Sequence, residues 1–235
     1  MHIGYAIAFF LFVGLSETLR HGIFGLTPAE IAAITAGTLG LVSVLVLRGD
    51  LIHLLRPSRQ PLYGNPRLNW SWRRSALALG SGLAGIAAAA LTTTGPLSAP
   101  TALELTALQV ALITLPQELF FREAVLKSFG QSLPAIYLIG LLAWFIVHMP
   151  AGLPAALAAA GAGAVWLTLR LIGVSILAVA LLHAAATVML PQLTGPMAAA
   201  TWADVGYFIA ASAAISATLF LIFAKSRKQG IFSYA

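Results

Sequence analysis

The sequence predicts an all-α, polytopic membrane protein with about eight transmembrane helices. Its 235 residues include 13 basic and 7 acidic side chains, 60% of them are hydrophobic, and the mean hydropathy is +0.93. Soluble domains carry roughly 25% charged residues, whereas only 9% of this chain is charged. Because so few charges cannot cover a water-exposed surface, most of the surface must face a lipid bilayer.

Eight stretches are apolar over nearly the length of about 20 residues that a spanning helix needs. The first has no basic residue before its apolar run and no small-residue cleavage site before Glu17, so we interpret it as a retained helix and not a signal peptide. The chain is therefore predicted to form a single integral membrane domain over residues 1–235. The eight stretches lie approximately at residues 3–19, 29–47, 75–92, 102–122, 134–149, 153–169, 171–189 and 204–224.

The connections between these stretches are short, with one exception. Residues 48–74 mix turn formers, arginines and tryptophans, a composition typical of a cytoplasmic loop that lies along the membrane interface. Residues 92–101 and the turn after Pro191 are uncharged. No domain outside the membrane is expected.

The basic residues predict the orientation of the chain. With the N-terminus inside, twelve of the thirteen fall on the cytoplasmic side, in residues 48–74, the turn 122–127, the turn at Arg170 and the tail 225–228. Only Arg20 lies outside, where Glu17 can reach it on the same helix face. The pI near 10.2 therefore reflects topology and no binding of nucleic acid. Both termini are predicted to be cytoplasmic.

Ionisable residues within the spans are the first site candidates, since each costs about 2.5 to 3.5 kcal/mol at the bilayer centre. Glu118 and Arg122 are four residues apart and can form an ion pair, and His183 and Thr187 share a face in the same way. Taken singly, each pair and His148 could be purely structural. The remaining polar residues near predicted helix ends are assigned to interfaces; they are Glu17, Arg20, Glu104, Gln109 and Asp204.

Three strings together resemble a known family. They are LPQELFFREAVL at residues 115–126, WFIVH at 144–148 and HAAAT at 183–187. In order and separation they resemble the motifs of the CPBP family of intramembrane glutamic proteases, which contains the type II CAAX prenyl endopeptidases and the bacterial Abi-like proteins. The family pattern is Glu-Glu-x-x-x-Arg, then Phe-x-x-x-His, then His-x-x-x-Asn or Asp. The motif-bearing core covers about residues 102–190.

The resemblance implies an intramembrane endopeptidase without a cofactor in a bacterial inner membrane. It would cleave a membrane-anchored protein or peptide near its membrane-embedded or C-terminal part. Glu118 matches the second glutamate of the pattern, Arg122 the arginine, and His148 and His183 the two histidines. These four side chains, on three helices, are expected to converge on one cavity between the fourth, fifth and seventh helices.

Three positions depart from the family pattern. Trp144 replaces the phenylalanine, and Thr187 replaces the asparagine or aspartate. The third departure is Gln117, which stands where the family has the glutamate thought to activate the attacking water.

Peptide hydrolysis needs a base for the water, donors for the developing oxyanion and an acid for the leaving nitrogen. An amide cannot act as the base, and pairing with Arg122 stabilises the charged form of Glu118 and weakens it as a base. The chain is then either a weak or inactive relative, or a form in which the catalytic glutamate was changed to Gln117. The intact ELFFR string and both histidines favour the second.

Two other interpretations use the same residues. His148, His183 and Glu118 could bind zinc with a water in the open position, although no H-E-x-x-H pair is present. A transporter or binding protein with a polar cavity at the midplane is the non-enzymatic alternative. The predicted boundaries also put His148 further out than Glu118 and His183, so either the fifth helix is shifted or the boundaries are wrong.

Overall fold

The structure, a computed structural model, describes residues 2–20, 25–47, 71–91, 110–130, 132–194 and 201–228. These residues form eight helices and no strand, which confirms the all-α class for this part of the chain. The helices are α1 (His2–Arg20), α2 (Pro28–Leu47), α3 (Trp72–Leu91), α4 (110–129), α5 (Leu133–His148), α6 (Leu153–Leu171), α7 (Ile176–Thr194) and α8 (Trp202–Lys228).

The composition and exposed surface of the helices are those of a membrane protein. Leu133–Ala151, Leu153–Leu171 and Val205–Ile222 are long and apolar enough to cross a bilayer, and Ile3–Leu19, Ile34–Leu47 and Ile176–Val188 are shorter apolar helices. Large apolar side chains point outward, among them Phe10, Leu11, Tyr207 and Leu221. Such side chains are unfavourable in water and are solvated by lipid tails. The chain is an all-α integral membrane protein.

Helix α4 lies at the centre of the bundle, against α2 and α7, and it changes winding along its length. Two α-helical parts, Leu115–Glu118 and Val125–Phe129, alternate with wider π-helical turns at Val110–Thr114 and Leu119–Ala124. Pro116 lacks a backbone N–H and so favours such a break in the regular ladder. Turns of this kind occur frequently at functional sites. Glu118 and all of residues 120–126 are buried.

The predicted end of the fourth helix was wrong. The helix continues past Arg122 to Phe129, because the polar residues after Arg122 bind partners on other helices. Lys127 Nζ donates to the carbonyl oxygens of Val46 at 2.8 Å and Leu47 at 2.9 Å, which lie at the C-terminal end of α2. The fifth helix ends at His148, close to its predicted boundary.

Arg170 was predicted in a turn, but it lies within a helix. It belongs to the last turn of α6 and is fully buried against Glu123 of α4. Its Nε donates to Glu123 Oε1, and its Nη2 donates to Glu123 Oε2 at 3.3 Å. Arg122 is fully buried as well. Because both arginines are buried inside the bundle, they do not support the predicted orientation of the chain. The cytoplasmic location of both termini stays a prediction.

The start of α3 is fixed to the turn between α6 and α7. Gly173, at a φ of 94°, forms this turn, and its carbonyl accepts from the Ser71 N–H at 2.9 Å. Arg74 Nη1 donates to the Ile172 carbonyl at 2.7 Å, and the Ser175 N–H donates to Ser75 Oγ at 2.9 Å. Helix α3 thus begins at Trp72, within the predicted interfacial loop, and α7 begins at Ile176 and not at residue 171.

Several predicted features lie outside the described residues. They are residues 48–70 of the interfacial loop, the connection at 92–101, Glu104, Gln109 and the end of the chain after residue 228, together with the side chains of Arg20 and Asp204.

Aromatic side chains join α1 to α4. Tyr5 stacks on Phe120 with ring centroids 5.1 Å apart, and Phe12 contacts Phe120 at 6.1 Å and Phe121 at 6.2 Å. All four rings are buried, and such pairs add about 0.5 to 1.5 kcal/mol beyond the burial of their area. This packing holds α1, with Ser16 and Glu17 in its C-terminal half, beside the motif-bearing part of α4.

Candidate functional site

Glu118, Arg122 and His183 form a buried trio between α4 and α7. Arg122 Nε lies 3.4 Å from Glu118 Oε2, and both side chains are fully buried. His183 Nδ1 lies 2.8 Å from Glu118 Oε1. An ionised carboxylate only accepts hydrogen bonds, so Nδ1 of His183 is the donor and, in a neutral ring, Nε2 carries the lone pair. The trio compensates one buried negative charge with a cation and a hydrogen bond.

The indole of Trp144 is the common neighbour of the motif residues. Arg122 Cζ lies 4.8 Å from its ring centroid, and the His148 and His183 rings lie at 4.6 and 5.5 Å. Gly163 of α6 leaves room for the indole, since a Cβ there would lie 2.8 Å from Trp144 Cδ1. The large aromatic at this position of the motif therefore contacts both histidines.

His183 is held on its other side by Trp166 of α6. The two rings stack with centroids 5.5 Å apart and an interplanar angle of 23°. Together with the bond to Glu118, this stacking limits rotation of the imidazole. The sequence did not single out Trp166, because it lies outside the three motifs, and its one signal was a tryptophan in the middle of an apolar stretch.

A cavity of about 530 Å³ lies between α1, α2, α4 and α5. Its walls are mainly apolar, with Phe12, Leu39, Phe121 and Ile146 among the lining side chains. Its polar lining residues come from four helices and are Ser16, Glu17, Thr35, Gln117 and His148. A small polar group or a water molecule would therefore meet hydrogen-bonding partners in an otherwise apolar space.

His148 and Gln117 enter this cavity for reasons of local geometry. His148 ends α5, and its Nδ1 lies 2.8 Å from the carbonyl oxygen of Trp144. Because a carbonyl only accepts, Nδ1 donates and Nε2 carries the lone pair of the neutral ring. Gln117 and Glu118 are consecutive and so project about 100° apart around the helix. Gln117 consequently lines the cavity, while Glu118 belongs to the buried trio.

The structure thus separates the predicted site residues into two groups around Trp144. Glu118, Arg122 and His183 form the trio, whereas Gln117 and His148 line the cavity. Among the described residues, the lining of the cavity includes neither Glu118 nor His183.

Thr187 is exposed and forms a local hydrogen bond within α7. Its Oγ1 donates to the His183 carbonyl at 2.9 Å.

Glu17 lines the cavity, and its predicted contact with Arg20 cannot be described because the side chain of Arg20 lies outside the described part of the structure. In the sequence, Glu17 was recognisable as an ionisable residue within a predicted membrane span.

Residues 99–189 match the family described as type II CAAX prenyl endopeptidase Rce1-like. This region, less than half of the chain, is similar to that family. The resemblance based on the three motifs is thereby confirmed, and the Rce1-like region contains all six predicted site residues. Helices α1, α2, α3 and α8 lie outside it, so Glu17 and Thr35 belong to parts of the chain that the match does not cover. No curated protein and no solved structure matches the chain.

The zinc interpretation does not fit the geometry of the Rce1-like region. Within the described ranges, no three histidine, aspartate or glutamate side chains are arranged to hold a metal ion. Glu118 and His183 use their facing atoms for a hydrogen bond to each other, and His148 Nδ1 is bonded to the Trp144 carbonyl.

Proposed function

We propose that this chain is an intramembrane endopeptidase that hydrolyses a peptide bond near the membrane-embedded or C-terminal part of a protein substrate. Its Rce1-like region relates it to CAAX-type proteases, which act on membrane-associated peptides. The observation that supports the proposal most is that Gln117 and His148, from two separate motifs, line the same cavity. The scissile bond and the attacking water would meet there.

In the proposed reaction His148 handles the proton. The Trp144 carbonyl holds Nδ1–H, so the lone pair at Nε2 can take a proton from the water as its oxygen bonds to the carbonyl carbon. When the C–N bond breaks, the proton passes from Nε2 to the leaving nitrogen. The amide of Gln117 orients the water by hydrogen bonds and takes no proton.

The buried trio has a supporting role in this proposal. Glu118 and Arg122 hold His183 and the Trp144 ring in position, and the carbonyl of Trp144 in turn holds His148. Thr187 stabilises the turn of α7 that carries His183. These residues would affect the rate through the placement of His148.

Cleavage of a membrane-anchored C-terminal peptide reporter in proteoliposomes tests the proposal. We expect the given chain to cleave and His148→Ala to lose about 10²- to 10⁴-fold in rate, the usual contribution of a general base. Met149→Ala is the matched control, since this exposed neighbour does not belong to the lining. Equal cleavage by His148→Ala would contradict the proposal, and tight binding without cleavage in any variant would favour the transporter or binding interpretation.

A further inference from the structure

We propose that a second cavity, between α3, α6, α7 and α8, binds one acyl chain of an anionic phospholipid, with the headgroup at Arg73 and the chain against Trp166. This α3–α8 cavity has a volume of about 340 Å³. Its lining shares no residue with the lining of the cavity that contains Gln117 and His148. The lipid site is therefore separate from the proposed catalytic site, and the proposal does not depend on peptidase activity.

The lining of the α3–α8 cavity favours hydrocarbon over water. Aliphatic side chains from all four helices form most of it, among them Leu77, Leu169, Leu182 and Leu219. Among the described lining residues, Ser81 carries the one hydroxyl group, which already donates to the Leu77 carbonyl at 2.8 Å. A buried water needs two to four polar partners, and apolar cavities stay dry. Because an empty cavity would forfeit the dispersion contacts of its walls, a hydrocarbon chain is the occupant that stabilises it.

The cavity opens toward the bilayer and extends along α3. Its lining includes Leu77, which is 65% exposed, and Ile215, which is 49% exposed. Exposed aliphatic side chains of a membrane protein face lipid tails, so an acyl chain can enter from the side. On α3 the lining extends from Arg74 to Gly82, which is about 12 Å at a rise of 1.5 Å per residue. This elongated shape suits a single extended chain.

Positive charge lies at one end of the cavity. Arg74 lines this end, where its Nη1 donates to the Ile172 carbonyl at 2.7 Å. The residue before it, Arg73, is exposed, and its Cζ lies 5.7 Å from the ring centroid of the exposed Trp72. Tryptophan is typical of the headgroup level of a membrane, and the guanidinium fork matches a phosphate. Since none of the described lining residues is acidic, the charges at this end favour an anionic headgroup over a zwitterionic one.

Trp166 is the wall between the bound chain and the buried trio. It lines the α3–α8 cavity, and its ring stacks on His183 with centroids 5.5 Å apart. His183 in turn donates to Glu118. An acyl chain in the cavity would pack against the indole and restrict its movement away from His183. The bound lipid would thus help to hold the imidazole from outside the trio.

Native mass spectrometry of the detergent-purified chain tests the lipid site. The given chain should retain one molecule of phosphatidylglycerol, and it should retain phosphatidylcholine with the same acyl chains less well. Ser81→Phe should abolish the retention of phosphatidylglycerol, because the new ring would occupy the cavity. Ala84→Phe is the matched control, since Ala84 is exposed on the same helix outside the lining. Arg73→Gln should lower the preference for phosphatidylglycerol about fivefold, the contribution of one basic residue near an anionic lipid.

Fluorescence tests the contact between the chain and Trp166. Phosphatidylglycerol with acyl chains brominated near their middle quenches a tryptophan that it touches. One equivalent should quench part of the emission of the given chain, and Trp166→Phe should lose the quenched part. Quenching of the same size in both proteins would overturn the assigned contact.

Two results would overturn the lipid site itself. One is equal retention of the two lipids by the given chain, which would indicate an unselective lipid-facing surface. The other is equal retention of phosphatidylglycerol by Ser81→Phe and Ala84→Phe, with melting curves to confirm that both fold. If Ser81→Phe does not fold, Ile215→Trp fills the cavity from α8, with the exposed Ile222→Trp outside the lining as its control. None of these measurements uses cleavage, so this inference and the proposed function fail independently.

Discussion

His183 donates from Nδ1 to Glu118 Oε1 over 2.8 Å, although 65 residues separate them in the chain. This bond connects the first and third motifs of the Rce1-like region inside the bundle, at a carboxylate that is fully buried. Glu118 thus holds two partners at once, Arg122 on its own helix and His183 on α7. The negative charge of this buried carboxylate is therefore compensated from its own helix and from α7.

Removing the Glu118 carboxylate should destabilise the protein. In Glu118→Ala the guanidinium of Arg122 would remain fully buried without its anion, and breaking one side of such a pair typically costs about 3 to 5 kcal/mol. His183→Ala should cost clearly less, because the histidine is partly exposed and the pair between Glu118 and Arg122 would persist. Thermal unfolding in detergent measures both. Equal melting temperatures for Glu118→Ala and the given chain would contradict the assigned pair.

The ion pair between Glu123 and Arg170 should show strong coupling. Each single change, Glu123→Met or Arg170→Met, would leave one buried charge alone and lower the free energy of unfolding by about 3 to 5 kcal/mol. The double variant should recover much of this loss, because methionines of similar length can fill the space. A double-mutant cycle of unfolding free energies measures the coupling. Arg73→Met, at an exposed position, is the control; additive losses would show that the pair does not interact.

Gly163→Ala should displace Trp144, whose ring contacts both histidines. The new Cβ would lie 2.8 Å from Trp144 Cδ1 and 3.4 Å from Arg122 Nη2, and overpacking of this kind costs about 1 to 3 kcal/mol. Gly161→Ala is the matched control on the same helix, where the nearest atom lies at 3.4 Å. Both gain the same helix propensity. We expect lower stability and slower cleavage for Gly163→Ala alone, and unchanged cleavage would argue against a role of Trp144 in placing His148.

Gln117→Glu should raise the rate of proteolysis. The amide is nearly isosteric with a carboxylate but cannot take a proton, and general-base catalysis is commonly worth about 10² to 10⁴ in rate. The gain should disappear when His148 is replaced by alanine as well. The prediction is tested by the initial cleavage rates of the given chain, of both single variants and of the double variant. Equal rates for the given chain and Gln117→Glu would show that the assignment of position 117 is wrong.

The helices could be predicted from the sequence because their formation in lipid depends on local composition. A spanning helix satisfies its own backbone hydrogen bonds, so an apolar run of sufficient length is enough to indicate it. The predicted helix boundaries were wrong where a side chain binds a partner that is far away in the sequence. The sequence placed Lys127 in a turn. In the structure its ammonium group donates to the carbonyl oxygens of Val46 and Leu47, so α4 continues past this residue. Arg170 was misassigned for the same reason, since Glu123 lies 47 residues away in the chain.

The sequence by itself determined which residues are candidates for the chemistry, because the motifs consist of particular residue types at fixed spacings. Tertiary structure alone decided how these residues are divided. Gln117 and Glu118 are neighbours in the chain but point about 100° apart, so their surroundings depend on the packing of α4 between α1, α5 and α7. That packing buries Glu118 with His183 and brings Glu17 into the cavity of His148. No local sequence pattern specifies which faces of two helices pack together. The arrangement of the candidate site therefore depends on the contacts between helices.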